Sequence, residues 1–287
     1  MKILFQLEKI NLMILKKITN FINDPRKVSR LFADVKFSNI EKKIYQRNIV
    51  WHFTTPKCAS TYFSKYIDQV IQKNKKSNKI GIVRAVPEFG ERLQAVSKYY
   101  LNEQINFRKK DFLFITYRQH TQATNDLLKV INKKKHFVLI QYRGIFDTLA
   151  SLIDYWDKIP SSIWSSVAPK YWHNLNKNHK FDILIRLYLP WHIQFLQSWN
   201  LYENENENVY FFRYEEIVKD PFKHLNLIFK RYKIEVDKID FKANNEDINF
   251  NKGYSRYKEY FSKNQIDQVT SEVEKFDFLN QNLVKYL

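Results

Sequence analysis

The sequence predicts an α/β fold: a parallel sheet of about four or five strands flanked by helices. Short apolar runs dense in β-branched and aromatic residues lie at 49–54 (IVWHFT), 112–117 (FLFITY), 137–142 (FVLIQY) and 208–213 (NVYFFR). Each has the length of a buried strand. Helical patterns fill the gaps at 60–73, 88–102, 122–132, 146–157 and 181–202, and two more follow at 221–232 and 264–276. Lys/Asn clusters at 73–79, 132–135 and 176–180, and the Asn/Glu alternation at 203–208, read as loops or exposed helix ends. Strands that alternate with helices call for a parallel sheet covered on both faces. In such sheets ligands bind outside the carboxyl ends of the strands, so the strand ends are the places to search for chemistry.

A chain of 287 residues suits one large domain or one domain with a small appendage. Residues 1–48 are expected to be an amphipathic lead-in packed on a domain spanning 49–287. With 23 Phe, 18 Tyr and a hydrophobic fraction of 44%, a sizeable core is available. The four glycines, Gly81, Gly90, Gly144 and Gly253, allow neither G-x-G-x-x-G nor G-x-x-x-x-G-K-[ST]. Dinucleotide-fingerprint and Walker-type readings therefore fail. The single cysteine, Cys58, excludes an intramolecular disulfide framework, and the seven histidines show no H-E-x-x-H pattern, so no metal is expected. The net charge of +18 implies an anionic ligand, a nucleic acid or an anionic membrane surface, unless the excess is merely solvated lysine.

No run of eighteen apolar residues is present, so no membrane span is expected. The stretch 3–22 has helical spacing of Ile3, Leu7, Ile10, Ile14 and Ile18, contains Glu8 and lacks a small-residue cleavage site. It reads as a helix packed on the domain rather than a secretory signal, with contact to an anionic membrane as the alternative. The corresponding expectation is a cytoplasmic protein, with or without peripheral membrane contact.

The run 49–54 leads into Thr55-Pro56-Lys57-Cys58-Ala59-Ser60-Thr61-Tyr62 and then a helix. First-turn N–H groups have no partner within a helix. Together with the Ser60 and Thr61 hydroxyls and the Lys57 ammonium they make an anion site. The same residues also make an ordinary strand–helix turn with Ser60 as N-cap. This segment resembles the 5′-phosphosulfate loop of the PAPS-dependent sulfotransferase family, PAPS being 3′-phosphoadenosine 5′-phosphosulfate. The resemblance implies that Lys57 meets the 5′-phosphate and the bridging oxygen. It implies likewise that Cys58, Ala59, Ser60 and Thr61 cradle the phosphate and Tyr62 stacks on adenine. Ala59 in place of glycine and Tyr62 in place of tryptophan are departures expected to be sterically mild.

The resemblance recurs in order along the chain. After 137–142 come Arg143 and, eight residues on, Ser151, matching the family's 3′-phosphate site. A phosphomonoester dianion suits a planar guanidinium fork plus a neutral donor. Asp147 stands where the family carries an acidic residue, and capping or orienting this turn is its plainer role. Val209 to Ile217 followed by Asp220-Pro221 is similar to the family's strand–Tyr-Glu segment and implies that Tyr214 lies near adenine. Asp220-Pro221 is independently a helix start. The family's base is a histidine beyond the 112–117 strand. His120, 23 residues before Arg143, takes that place, with Arg118 as an auxiliary. Asn251-Lys252-Gly253 resembles the loop that closes over the 3′-phosphate, with Asn251 where the family has arginine. Lys252 and Gly253 remain phosphate candidates, and Arg256 is an auxiliary one.

Taken together, the resemblance implies metal-independent in-line transfer of a sulfuryl group from PAPS to a hydroxyl, less favourably an amine, with adenosine 3′,5′-bisphosphate (PAP) as product. The acceptor would be a small molecule, a glycan or a lipid head, with no specific nucleic acid bound. The aromatic segment 155–173 either lines the acceptor pocket or packs as core. Two rivals stand beside this reading: a nucleotide-kinase-like phosphoryl transferase, and a non-enzymatic basic module for nucleic acid or anionic membrane.

Overall fold

The computed structural model describes residues 48–73, 80–85, 112–117, 122–123, 128, 131, 135–158, 171–205, 207–241, 255–277 and 283–287. All of them fall in one compact unit, Arg47–Val96 with Arg108–Leu287. The expected lead-in 1–48, apart from its last residue, and the expected helix 88–102 lie outside the described residues.

Five strands, β1 (Asn48–Thr54), β2 (Ile80–Ala85), β3 (Phe112–Tyr117), β4 (His136–Tyr142) and β5 (Val209–Arg213), form one sheet in the order β2-β3-β1-β4-β5. Every pairing is parallel. The four apolar runs of the sequence are β1, β3, β4 and β5, each within one residue at either end. β2 is the strand that the sequence pattern missed. It is an edge strand that opens Ile80-Gly81 behind a lysine cluster, and glycine weakens strand propensity. β1 and β4 are buried along almost their whole length, as central strands covered on both faces must be.

Helix α1 (Ser60–Lys73) follows β1 and buries Phe63, Tyr66, Ile67 and Val70, one face at helical spacing. That face joins Val50, Leu139, Phe212, Ile217, Leu225, Ile228 and Phe229 in a core cluster. β4 turns into α2 (Ile145–Lys158). The expected helix 181–202 is longer than its apolar pattern: α3 (Lys177–Ile183), a π-helical turn Leu184–Tyr188 and α4 (Leu189–Glu205) run on from one another. The Lys/Asn cluster at 176–180 is therefore an exposed helix start, with the Asn176 side chain accepting the His179 N–H at 2.9 Å. In the π turn the Leu189 N–H reaches the Leu184 carbonyl, five residues back. Pro190, next in the chain, has no N–H and would crowd the carbonyl four back, which the widened turn accommodates. The Phe53 ring of β1 stacks on Trp199 of α4 with centroids 4.5 Å apart.

β5 leads into α5 (Tyr214–Lys219) and α6 (Pro221–Arg231). Asp220 caps α6, accepting the Lys223 N–H at 3.3 Å with Pro221 in the first turn, as the sequence predicts. The chain then forms α7 (Tyr257–Tyr260), α8 (Lys263–Lys275) and a 3₁₀ turn Leu283–Tyr286. Among the described residues no helix is long and apolar enough to cross a membrane. For the site, one register decides the layout: Thr54 of β1 pairs with Gln141 of β4, so the turns that leave these two strands emerge side by side.

Candidate active site

The first turn is the 55–59 loop. The Thr55 N–H donates to the Gln141 carbonyl at 2.9 Å, and the Phe63 N–H donates to the Ala59 carbonyl at 3.0 Å. Ala59, not Ser60, thus accepts the first helical bond, and Ser60 and Thr61 are first-turn residues. This corrects the alternative in which Ser60 caps the helix. Lys57 and Ala59 adopt φ of 60° and 66°, the left-handed region that glycine occupies without penalty. Replacing glycine by Ala59 is therefore not conformationally free, contrary to the expectation of a mild change. Contacts around the loop must offset the strain.

Those contacts come from inside the loop and from β4. Cys58 is fully buried, its Sγ donating to the Thr55 carbonyl at 2.7 Å, and burial pushes its thiol up to about 12. A thiol so protonated is packing, so Cys58 offers a ligand only its backbone. The Arg143 Nη1 donates to the Lys57 carbonyl at 3.3 Å, and the Gln141 side-chain amide donates to the Cys58 carbonyl.

The Lys57 ammonium lies 4.1 Å from the centroid of the Tyr155 ring on α2. Its pKa falls to about 8, first through burial and then through the like charges of Arg143 and Lys158, with Asp154 acting in the opposite sense. Arg143 itself is only 3% exposed and lays its guanidinium over Tyr214 at 4.3 Å. Its turn is fixed by Thr148, whose N–H meets the Gly144 carbonyl at 2.9 Å. Gly144 makes room there, because a Cβ would stand 3.1 Å from the Leu287 carbonyl oxygen and press on the chain's last residue. Ser151, two helical turns on, is buried in α2.

Asp147 reaches across to a distant segment. Its carboxylate accepts the N–H of Ser255 at 2.9 Å and of Tyr257 at 3.4 Å, and Phe146 stacks on Tyr257 with centroids 4.8 Å apart. Asp147 and Asp154, two helical turns apart on α2, therefore carry the 255–260 segment. Arg256 pairs with Asp154 at 3.0 Å and donates to the Tyr260 hydroxyl at 2.9 Å, so a phosphate would have to share its guanidinium with that carboxylate. Tyr62 is half-buried with its ring edge-on to Phe241, centroids 5.1 Å apart.

Arg118, His120, Lys252 and Gly253 lie outside the described residues. His52 of β1 is unsuitable as a base: it is fully buried, bonded through Nε2 to Gln141 Oε1 at 2.9 Å and stacked on Phe212. In the aromatic segment 155–173, residues 159–170 lie outside the described residues, and the described ones divide by residue. Trp156 and Trp172 are core, packed edge to face at 4.9 Å, with the Trp172 indole N–H on Asp157 at 2.7 Å. Tyr155 faces Lys57. Sequence reasoning missed the contributions of Gln141, Asp154 and Lys158. Gln141 alone left a signal, a polar side chain inside an otherwise apolar central run.

Among solved structures, a mouse sulfotransferase complexed with PAP matches with a TM-score of 0.53 at 15% identity, over 84% of this chain and 89% of that one. The chain has the sulfotransferase fold. A sulfotransferase from Alicyclobacillus acidocaldarius also matches, at 13% identity over 80% of this chain and 92% of that one with a TM-score of 0.42. So does a retinol dehydratase in a complex with retinol and PAP, at 11% identity over 81% and 82% with a TM-score of 0.46. No protein-family model and no curated protein matches the chain. Within this sulfotransferase fold, the loop after β1 and the turn after β4 are neighbours in space, joined by the contact from Arg143 to the Lys57 carbonyl.

Proposed function

We propose that the chain transfers the sulfuryl group of PAPS to a hydroxyl acceptor, an amine being the less favoured nucleophile. The observation that carries the proposal is the gathering of cations at the loop that opens α1: the buried Arg143 guanidinium reaches the Lys57 carbonyl at 3.3 Å, and burial together with the like charges of Arg143 and Lys158 lowers the Lys57 pKa. A bound anion relieves that crowding, and the first-turn N–H groups of α1 add fixed partial positive charge. PAPS, when bound, supplies the activated sulfur and a phosphate leaving group.

The chain's residues then divide the work. Backbone amides of Cys58 and Ala59 and the hydroxyls of Ser60 and Thr61 hold the 5′-phosphate. Lys57 neutralises charge that develops on the bridging oxygen. Arg143 and Ser151 take the 3′-phosphate, with Lys252 and Gly253 beside it and Arg256 in reserve on Asp154. Tyr62 and Tyr214 flank the adenine, and Tyr214 also backs the Arg143 guanidinium. His120 removes the acceptor's proton, assisted by Arg118. The acceptor is a small molecule, a glycan or a lipid head, with Tyr155 on its side of Lys57. A cytoplasmic location, with or without peripheral contact to an anionic membrane, belongs to the same proposal.

The test begins with ligand-linked stability. PAP is expected to raise the melting temperature and ATP to do so much less, since binding to the native state stabilises by about 2.7 kcal/mol at a hundredfold excess over Kd. An equal shift from ATP transfers the site to a phosphoryl transferase, and no shift from PAP ends the proposal. Mass spectrometry of acceptor libraries incubated with protein and PAPS then identifies the acceptor.

A pH dependence follows from Lys57. Free, its pKa is about 8; an adjacent phosphate favours the charged ammonium and raises that value. PAP affinity should therefore be greatest near pH 7, where the PAP phosphates are dianionic and Lys57 is charged, and weaken above pH 8, by up to about tenfold per pH unit. Binding at pH 8.5 should take up a proton. Calorimetry in two buffers of different ionisation enthalpy reads that uptake, and Lys57→Met should abolish it.

A further inference from the structure

Gln141 holds the phosphate-loop backbone from below. It is fully buried near the end of β4, and its main chain and side chain grip the same loop at two points. The Gln141 carbonyl takes the Thr55 N–H at 2.9 Å, and its side-chain amide donates to the Cys58 carbonyl. A carbonyl only accepts, so the amide nitrogen must face Cys58 and Oε1 must face His52, 2.9 Å away. His52 must then carry a proton on Nε2. His52 cannot swing aside, being edge-on to Phe63 and stacked on Phe212 with centroids 5.6 and 6.0 Å away.

In a trans peptide the C=O of one residue and the N–H of the next point in opposite directions. Pinning the Cys58 carbonyl inward on Gln141 therefore turns the Ala59 N–H away from the buried side. Cys58 lies between two residues at positive φ, Lys57 and Ala59, neither of them glycine. Such a backbone persists only where its surroundings over-determine it, and Gln141 is the side chain that does so at the Cys58–Ala59 peptide. We propose that Gln141, oriented by His52, is a positioning residue that presents the Ala59 N–H and the Lys57 side chain to the 5′-phosphate of a bound nucleotide. The inference rests on the function proposed above for what the loop binds, and on the hydrogen bonds alone for how the loop is held.

Two variants and three measurements test it. Gln141→Met keeps the length of the side chain and removes both side-chain hydrogen bonds; His52→Phe keeps the ring packing and removes the Nε2 donor to Gln141. In ligand-free Gln141→Met, hydrogen exchange of amides 57–61 should accelerate about tenfold or more while the β1 and β4 amides keep their protection. PAP affinity should fall about tenfold. The alkaline fall in PAP affinity should move to higher pH, because a loosened loop lets the Lys57 ammonium reach water, an effect that general destabilisation would not produce. His52→Phe should show the same changes at about threefold.

A cooperatively melting Gln141→Met that binds PAP with parental affinity and pH profile overturns the inference, whatever its exchange rates. Should Gln141→Met fail to melt cooperatively, His52→Phe is judged by the same readings, and parental values there overturn it. A parent protein that does not bind PAP sinks the proposed function instead; the exchange rates of amides 57–61 then decide whether Gln141 holds the loop.

Discussion

Lys57→Met should lower sulfuryl transfer by about two to three orders of magnitude while leaving the fold intact. Charge grows on the bridging oxygen only as the S–O bond breaks, so an ammonium beside it acts on the transition state more than on the bound ground state. PAP affinity near neutral pH should accordingly fall only modestly. The structure adds an expectation about stability. The Lys57 charge is disfavoured by burial and by Arg143 and Lys158, and its ammonium contact is the Tyr155 ring at 4.1 Å. A methionine keeps most of the apolar stem and removes a crowded charge. The ligand-free variant should melt at or above the parental temperature, with the stabilisation by PAP reduced. The reading requires a confirmed acceptor, and transfer by Lys57→Met at the parental rate would remove the central residue of the mechanism and leave only the fold.

The fold was legible in the sequence where burial is two-sided. β1 and β4 are central, so their residues are apolar at nearly every position and the runs stand out against lysine- and asparagine-rich loops. β2 was not legible, because an edge strand with a glycine at its second position carries neither continuous apolarity nor clean alternation. The site was legible where chemistry is local. Lys57 and Arg143 each sit at a strand end that can be read from the run before it, and the Thr54–Gln141 pairing puts the two turns side by side. What depends on long-range contact was not: Asp154 on Arg256 and Asp147 on the Ser255 amide join residues more than a hundred positions apart. Nor does sequence show that Ala59 takes a left-handed φ, since the residue that tolerates this by chemistry, glycine, is absent and the loop is held by its neighbours instead.

Arg143→Ala should weaken PAP binding by about a hundredfold, the equivalent of about 2.7 kcal/mol, which suits the loss of a charge-assisted fork in a buried site. The difficulty is that Arg143 has two duties. In the proposed function its guanidinium takes a phosphate at the end of β4, and its Nη1 also holds the Lys57 carbonyl at 3.3 Å. A ligand lacking the 3′-phosphate separates them. If Arg143 grips the 3′-phosphate, the parent should prefer PAP to adenosine 5′-monophosphate by a wide margin. Arg143→Ala should then erase most of that preference while the monophosphate loses only severalfold. Arg143→Lys should recover part of the lost affinity, because an ammonium restores charge but cannot present a planar fork or stack on Tyr214 as the guanidinium does at 4.3 Å. Affinity for the two nucleotides, measured by calorimetry near neutral pH for the parent and both variants, gives the answer. Equal losses for PAP and the monophosphate would show that Arg143 acts through the Lys57 loop, and the 3′-phosphate would then have to be held by Ser151 and the segment that Asp147 and Asp154 carry.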